Sequence, residues 1–216
     1  MYWQLSHRAD HAARLIADRH YNRQKPGTPQ FVPPGRCLVL TLPSDVGRGL
    51  WVTSWPFAEF VRHEWPGAWV CSAFRREDGP RASDLIRDAV AATVAVWPTV
   101  PRIASARGEV AMVSFVDRAK TRHKRDPGRC YLRAGWSVIG QTAGGLVALG
   151  LRAEDVPEAE AALPAGGQMA WDFTAGCSVN VGGTAAEPPK SAVRSHCGPN
   201  SRGQGAEFGP LYPASE

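Results

Sequence analysis

The run Val110 to Val116, VAMVSFV, constrains this chain more than any other stretch. It has the length and composition of a buried strand, and it is far too short to cross a bilayer. Asp117 stands where the strand stops, and a basic loop follows with Arg118, Lys120, Arg122, Lys124, Arg125 and Arg129. Six Lys/Arg against the single acid Asp126 give this loop 6 − 1 = +5. The whole chain of 216 residues is also +5, from 25 basic and 20 acidic residues, so everything outside the loop is neutral on balance. Concentrated positive charge after a strand end reads as a surface for polyanions, phosphate above all. The plainer reading, a solvated surface loop, fits the charge run equally well.

Around that stretch the pattern predicts alternating helices and strands. Residues 6–20 read as a helix with Ser6 as N-cap and an apolar stripe of Ala9, Ala12, Ala13, Leu15 and Ile16. A loop holding Pro26, Pro29, Pro33 and Pro34 follows, with a preset, non-helical backbone suited to presenting side chains. His20 and Tyr21 at the junction are either a proton-exchanging pair at a site or a helix cap and a packing ring. Residues 36–42 and 50–55 read as an antiparallel hairpin across Gly47 and Gly49. Six large aromatics follow closely, Trp51, Trp55, Phe57, Phe60, Trp65 and Trp69. Beside a basic loop such rings stack on bases, and otherwise they form core.

Residues 68–74 give a further strand, ending in the charged turn Arg75 to Arg81. Ser83 is the expected cap of a helix that runs to about Trp97 and stops at Pro98. A strand leading through a turn into a helix N-terminus makes an anion site, to which Arg75, Arg76 and Arg81 add charge. No GxxxxGK[ST] is present, so this is not a P-loop. Beyond the basic loop come a short helix, CYLRAGW, ended by Gly135, and two strands over 137–141 and 146–151.

From about Ala165 the character changes. Residues 165–216 hold nine Gly and five Pro and lack periodicity, so a folded domain over 1–164 and a poorly ordered tail are expected. Five cysteines form no CxxC pair, which argues against a zinc site or a disulfide framework and makes a reducing cytoplasm the default. No stretch has the pattern of a signal peptide or a membrane span, so no membrane partner is expected.

The order helix, hairpin, strand, charged turn, helix, strand, short helix, strand is a mixed α/β (α+β) plan. It resembles the acyltransferase fold of the GNAT superfamily, a mostly antiparallel central sheet flanked by helices. The resemblance implies that the turn Arg75 to Ser83 holds the pyrophosphate of acyl-coenzyme A. The family's Q/R-x-x-G-x-G/A signature is absent, with only Gly79 present and Pro80 after it. A narrower resemblance rests on Arg19-His20-Tyr21, on Ser114-Phe115-Val116-Asp117 and on Tyr131-x-x-Ala134-Gly135-Trp136. These groups are similar to the Mom-type phage DNA-modification proteins, a divergent GNAT-like group acting on adenine, over roughly residues 8 to 150. That similarity implies a site of His20, Tyr21, Asp117 and Tyr131, a donor-binding turn with Ser83 and one of Arg75, Arg76 and Arg81, and a cytoplasmic, phage- or prophage-linked setting.

The residue types suit the chemistry. Transfer to the adenine exocyclic amine needs a proton taken from a weak nucleophile, by Asp117 or His20, and one given to the leaving group, by a Tyr hydroxyl. The amine lies inside a duplex, so the base must be extruded while a basic surface, here Arg118 to Arg129, holds the backbone. The expected partners are therefore double-stranded DNA and a small-molecule acyl donor. A metal on His20 and Asp117 would rest on two ligands only, so the need for one stays open. Two other classes fit the same residues: a conventional N-acetyltransferase using acetyl-CoA on a small amine or protein, and a non-catalytic DNA-binding protein.

Overall fold

Strands that are apolar on both faces require a sheet covered on both faces, and the core is laid out accordingly. The computed structural model describes residues 1–55, 63–121 and 126–165. In β2 (Arg36–Thr41), Leu38 and Leu40 enter one core cluster while Val39 enters another, the pleat sending neighbours to opposite sides. β3 (Gly49–Trp55) does the same, with Trp51 on one side and Leu50 and Val52 on the other. One layer is α1 (His11–Asp18), packed through Ala13, Ile16 and Ala17. The opposite layer is α2 (Ala82–Val96), packed through Leu85, Ile86, Ala89 and Val90. Leu85 and Ile86 are fully buried, and truncation of either to Ala costs about 2–5 kcal/mol.

The remaining elements are β1 (Gln4–Ser6), β4 (Trp69–Arg76), β5 (Ile103–Ser105), β6 (Gly108–Val116), α3 (Arg129–Arg133), β7 (Ser137–Gln141) and β8 (Val147–Arg152). They form one mixed, mostly antiparallel eight-stranded sheet in the order β1-β2-β3-β4-β6-β8-β7, with β5 paired to β6 off that path. Among the described strands only β4 and β6 pair in parallel, over Trp69↔Met112, Val70↔Val113 and Cys71↔Ser114. Beyond Cys71 and Ser114 the two strands part. The far half of β4 stays with β3, and Phe115 and Val116 stay with β8. Val52 faces Ala73 while Thr53 faces Cys71, so Ser72 is an extra residue, a bulge where the parting begins.

Several expectations are corrected. Ser6 does not cap α1. It pairs with Val39 as the end of β1, and Asp10 is the cap, its Oδ1 accepting from the N–H groups of Ala12 (2.8 Å) and Ala13 (3.3 Å). Pairing with β2 holds residues 4–6 extended and postpones the helix to His11. Ser83 likewise lies inside α2, whose N-cap is Arg81, because Gly79 at φ 95° and Pro80 carry the turn up to that point. The core reading of the aromatic run holds for three of its rings: Trp51 and Trp69 are fully buried and Trp65 nearly so, while Phe57 and Phe60 lie outside the described residues. Each wholly buried ring contributes about 1.5–3 kcal/mol of transfer free energy, so core packing wins over exposure. Trp51 Nε1–H also needs its buried acceptor, Thr53 Oγ1 at 2.6 Å, which in turn bonds Thr93 Oγ1 at 3.0 Å.

The helix stopped at Pro98, the hairpin and the last two strands are present close to the expected bounds. No helix among the described residues is long and apolar enough to cross a membrane. The expected tail, apart from Ala165, lies outside the described residues.

Candidate active site at the parting of two strands

Two tyrosines from opposite layers converge where β4 and β6 separate. Tyr131, on α3, is buried, and its hydroxyl lies 3.3 Å from Cys71 Sγ, at the last residue pair before the strands part. Ser114, the partner of Cys71 in that pair, donates to the Cys71 carbonyl at 3.2 Å and also reaches the Tyr131 hydroxyl. Edge-on contacts with Phe74 (6.1 Å) and Trp136 (5.1 Å) fix the Tyr131 ring. Burial raises the Tyr131 phenol well above its ordinary range, so it stays protonated and able to donate. Burial also pushes the Cys71 thiol up to about 12, which keeps it neutral and a poor nucleophile.

Tyr21 follows α1 and is reached from the other layer. The Asp117 main-chain N–H donates to its hydroxyl oxygen, and Cys71 and Cys130 are close enough to act on it electrostatically. Burial dominates, holding the Tyr21 phenol up at about 12. His20 stacks on the Tyr21 ring with centroids 4.6 Å apart, and its Nδ1 accepts from the Asn22 N–H at 3.3 Å. The predicted residues Tyr21, Asp117 and Tyr131 thus come together around the Cys71–Ser114 pair, with His20 against Tyr21.

Asp117 enters by its backbone more than by its carboxylate. Its Oδ1 accepts from the N–H groups of Ala119 (2.9 Å) and Lys120 (3.1 Å), and its carbonyl accepts from the Thr121 hydroxyl at 2.6 Å. The side chain therefore closes the turn that ends β6, the arrangement of an Asx cap. Among the described residues, Oδ2 has Lys120 Nζ at 4.0 Å.

The turn after β4 is tied to the end of α1 by charge. Glu77 takes both Arg19 Nε (2.6 Å) and Nη2 (2.8 Å), and Arg75 Nε at 2.8 Å. The Arg19 contact, with Arg75 beside it, holds the Glu77 carboxyl down at about 2. Arg75 also donates to the Arg19 carbonyl, which anchors the residue just before His20 and Tyr21. Arg76 closes its own turn onto the carbonyls of Pro80 and Gly79, both at 2.6 Å. Among the three arginines that sequence left equivalent, Arg81 alone is exposed with no described partner. Ser83 Oγ lies 3.4 Å from Asp84 Oδ1.

Arg118, Lys120 and Arg129 are exposed, whereas Arg122, Lys124 and Arg125 lie outside the described residues. Sequence reading missed Arg133, which shares with Asp126, Arg129 and Leu132 the lining of an open concavity of about 580 Å³. It also missed Cys71, Cys130 and Ser114 as neighbours of the tyrosines. The one available signal was a thiol and a hydroxyl inside two apolar strands. Among the described residues no group of three or more His, Cys, Asp or Glu is placed to hold a metal ion. No family model, no curated protein and no solved structure matches this chain.

Proposed function

We propose that this chain is a GNAT-like group transferase that moves a small acyl-type group to the exocyclic amine of adenine in duplex DNA. The observation that carries the reading is the single parallel pair β4–β6, parting after Cys71 and Ser114 with the Tyr131 hydroxyl at the divide. A strand order with one parallel pair in an otherwise antiparallel sheet supports the GNAT-like plan. So does the bulge at Ser72, since an extra residue leaves main-chain groups without ladder partners next to the divide.

An acyl donor such as acyl-coenzyme A supplies an activated carbonyl and an anionic handle. The residues present suit that handle: the first N–H groups of α2 have no intrahelical partners, Arg81 offers no side-chain bond of its own there, and its guanidinium is exposed. Tyr131, kept neutral by burial, holds the proton for the leaving group. His20, on the Tyr21 ring, accepts the proton from the amine, while Tyr21 and Asp117 hold the end of α1 against the end of β6. Exposed Arg118, Lys120 and Arg129 beside this site supply the phosphate contacts that an extruded base requires.

Mass spectrometry of nucleosides from the DNA of cells expressing the chain tests the reading. A mass-shifted deoxyadenosine that disappears with Tyr131→Phe is the expected result. Unmodified DNA that the chain nevertheless binds returns it to a DNA-binding role, and acetylation of amines without DNA binding returns it to a conventional N-acetyltransferase.

A further inference from the structure

Cys71 and Ser114 stand against the Tyr131 hydroxyl, and the transfer proposed above gives neither a task. Both are buried, as is the tyrosine. Once Tyr131 has given up its proton, its oxygen is a buried anion, and a buried charge is strongly disfavoured unless a donor faces it.

Three contacts decide which neighbour can supply that donor. The Ser114 hydroxyl already donates to the Cys71 carbonyl at 3.2 Å. The Ala73 main-chain N–H, just past the bulge at Ser72, donates to Cys71 Sγ. The sulfur is thus engaged as an acceptor on that side, and its own proton is left for the Tyr131 oxygen at 3.3 Å. Either atom of that pair can be the donor. Rotation about the Cβ–Sγ bond therefore reverses the hydrogen bond while every heavy atom stays in place. We infer that Cys71 is a positioning residue for the transfer, its S–H turning to donate to the Tyr131 oxygen as that oxygen loses its proton. The inference rests on the transferase reading. In the step the Tyr131 O–H bond breaks, the proton goes to the leaving group of the donor, and the electron pair stays on the oxygen. His20 takes one proton from the amine for each one that Tyr131 gives, and exchange with solvent restores both groups. Cys71 contributes a hydrogen bond, not a proton and not a nucleophile.

The test compares Cys71→Ala, which removes the donor, with Cys71→Ser, which keeps it. Mass-shifted deoxyadenosine per folded chain is measured in expressing cells, and the unfolding midpoint on each purified variant. Cys71→Ala is expected to lower modification about 10- to 100-fold, the loss of one hydrogen bond to a charged group, and Cys71→Ser to stay within about threefold of the unaltered chain. A residue that only fills space gives the opposite order, because an apolar interior accepts alanine more readily than serine. Undiminished modification in Cys71→Ala, or equal loss in both variants, overturns the assignment. Should neither variant fold, the infrared S–H stretching band decides: a shift between the unaltered chain and Tyr131→Phe supports the thiol–hydroxyl bond, and an unchanged band overturns it. Modification that survives Tyr131→Phe, or DNA left unmodified by the unaltered chain, overturns the transferase reading and this inference with it. Loss in Tyr131→Phe without loss in Cys71→Ala overturns this inference alone.

Discussion

The Tyr131 hydroxyl sits 3.3 Å from Cys71 Sγ, at the last point where β4 and β6 are still paired. A phenol raised by burial next to a thiol raised to about 12 makes a neutral pair, with no ion to be stabilised in the resting site. Removal of the hydroxyl alone is therefore a small structural change. Tyr131→Phe is expected to keep the unfolding midpoint near that of the unaltered chain and to lower DNA modification by about 10²–10⁴-fold. Residual modification near the starting level would place the proton donor elsewhere.

Asp117 separates a capping role from a catalytic one. Asn keeps an Oδ1 acceptor for the Ala119 and Lys120 N–H groups, so Asp117→Asn is expected to retain stability and modification within about tenfold, whereas Asp117→Ala loses about 0.5–2 kcal/mol in denaturant unfolding. His20→Gln, by contrast, is expected to lose modification with little change in stability. An Asp117→Asn chain that folds normally but is inactive would make the carboxylate the base.

Glu77 gives the fold an acid limb. Its folded-state value is depressed from 4.5 to about 2, chiefly by Arg19, so its contribution is complete above the unfolded value and is lost as pH falls from about 4.5 towards 2. Urea midpoints of the unaltered chain and Glu77→Gln should differ near neutral pH and converge as the solution is acidified through that window. Parallel curves across it would show that the Arg19 and Arg75 contacts add no net stability.

The exposed arginines at the two ends of α3 are read by salt dependence. If Arg129 and Arg133 each neutralise one DNA phosphate, Ala at either position should lower the slope of log K against log salt by about 0.9, for any duplex sequence. An unchanged slope would leave both as solvated surface.

The backbone at Gly79 can be tested directly. Its φ is +95°, and a Cβ there would stand 2.8 Å from the Val46 carbonyl oxygen, so Gly79→Ala should destabilise the chain by about 1–3 kcal/mol in equilibrium unfolding. A neutral substitution would mean that the two turns slide apart without cost.

What could be read from sequence was what is local. The Val110–Val116 run is apolar on both faces, and such a run belongs in a sheet covered on both faces wherever its partners lie. β1 and β5 escaped notice because three residues are too few to show a period. Ser6 and Asp10 are both good N-caps by type, and only the pairing of Ser6 with Val39, a contact remote in sequence, decides between them. Of the candidate site residues, Tyr21 reaches the Asp117 main chain and Tyr131 reaches Cys71. The neighbours Cys71 and Ser114 were not legible, because their meeting depends on β6 inserting beside β4 across the intervening α2. The engagement of Arg75 and Arg76 with Glu77, Pro80 and Gly79 was equally invisible, since charge type says nothing about which cation is already held.

Only three residue pairs join β4 to β6, so the sheet is two leaves stitched by a short seam, one from β1 to β4 and one from β5 to β8. Within each leaf the ladders are longer: β2 meets β3 over six pairs, and β6 meets β8 over six. The tyrosines at the open end of the seam therefore act as wedges as well as chemical groups. Exchange of amide protons at Val113 and Ser114 is where any breathing between the leaves would first be seen, ahead of the ladders on either side.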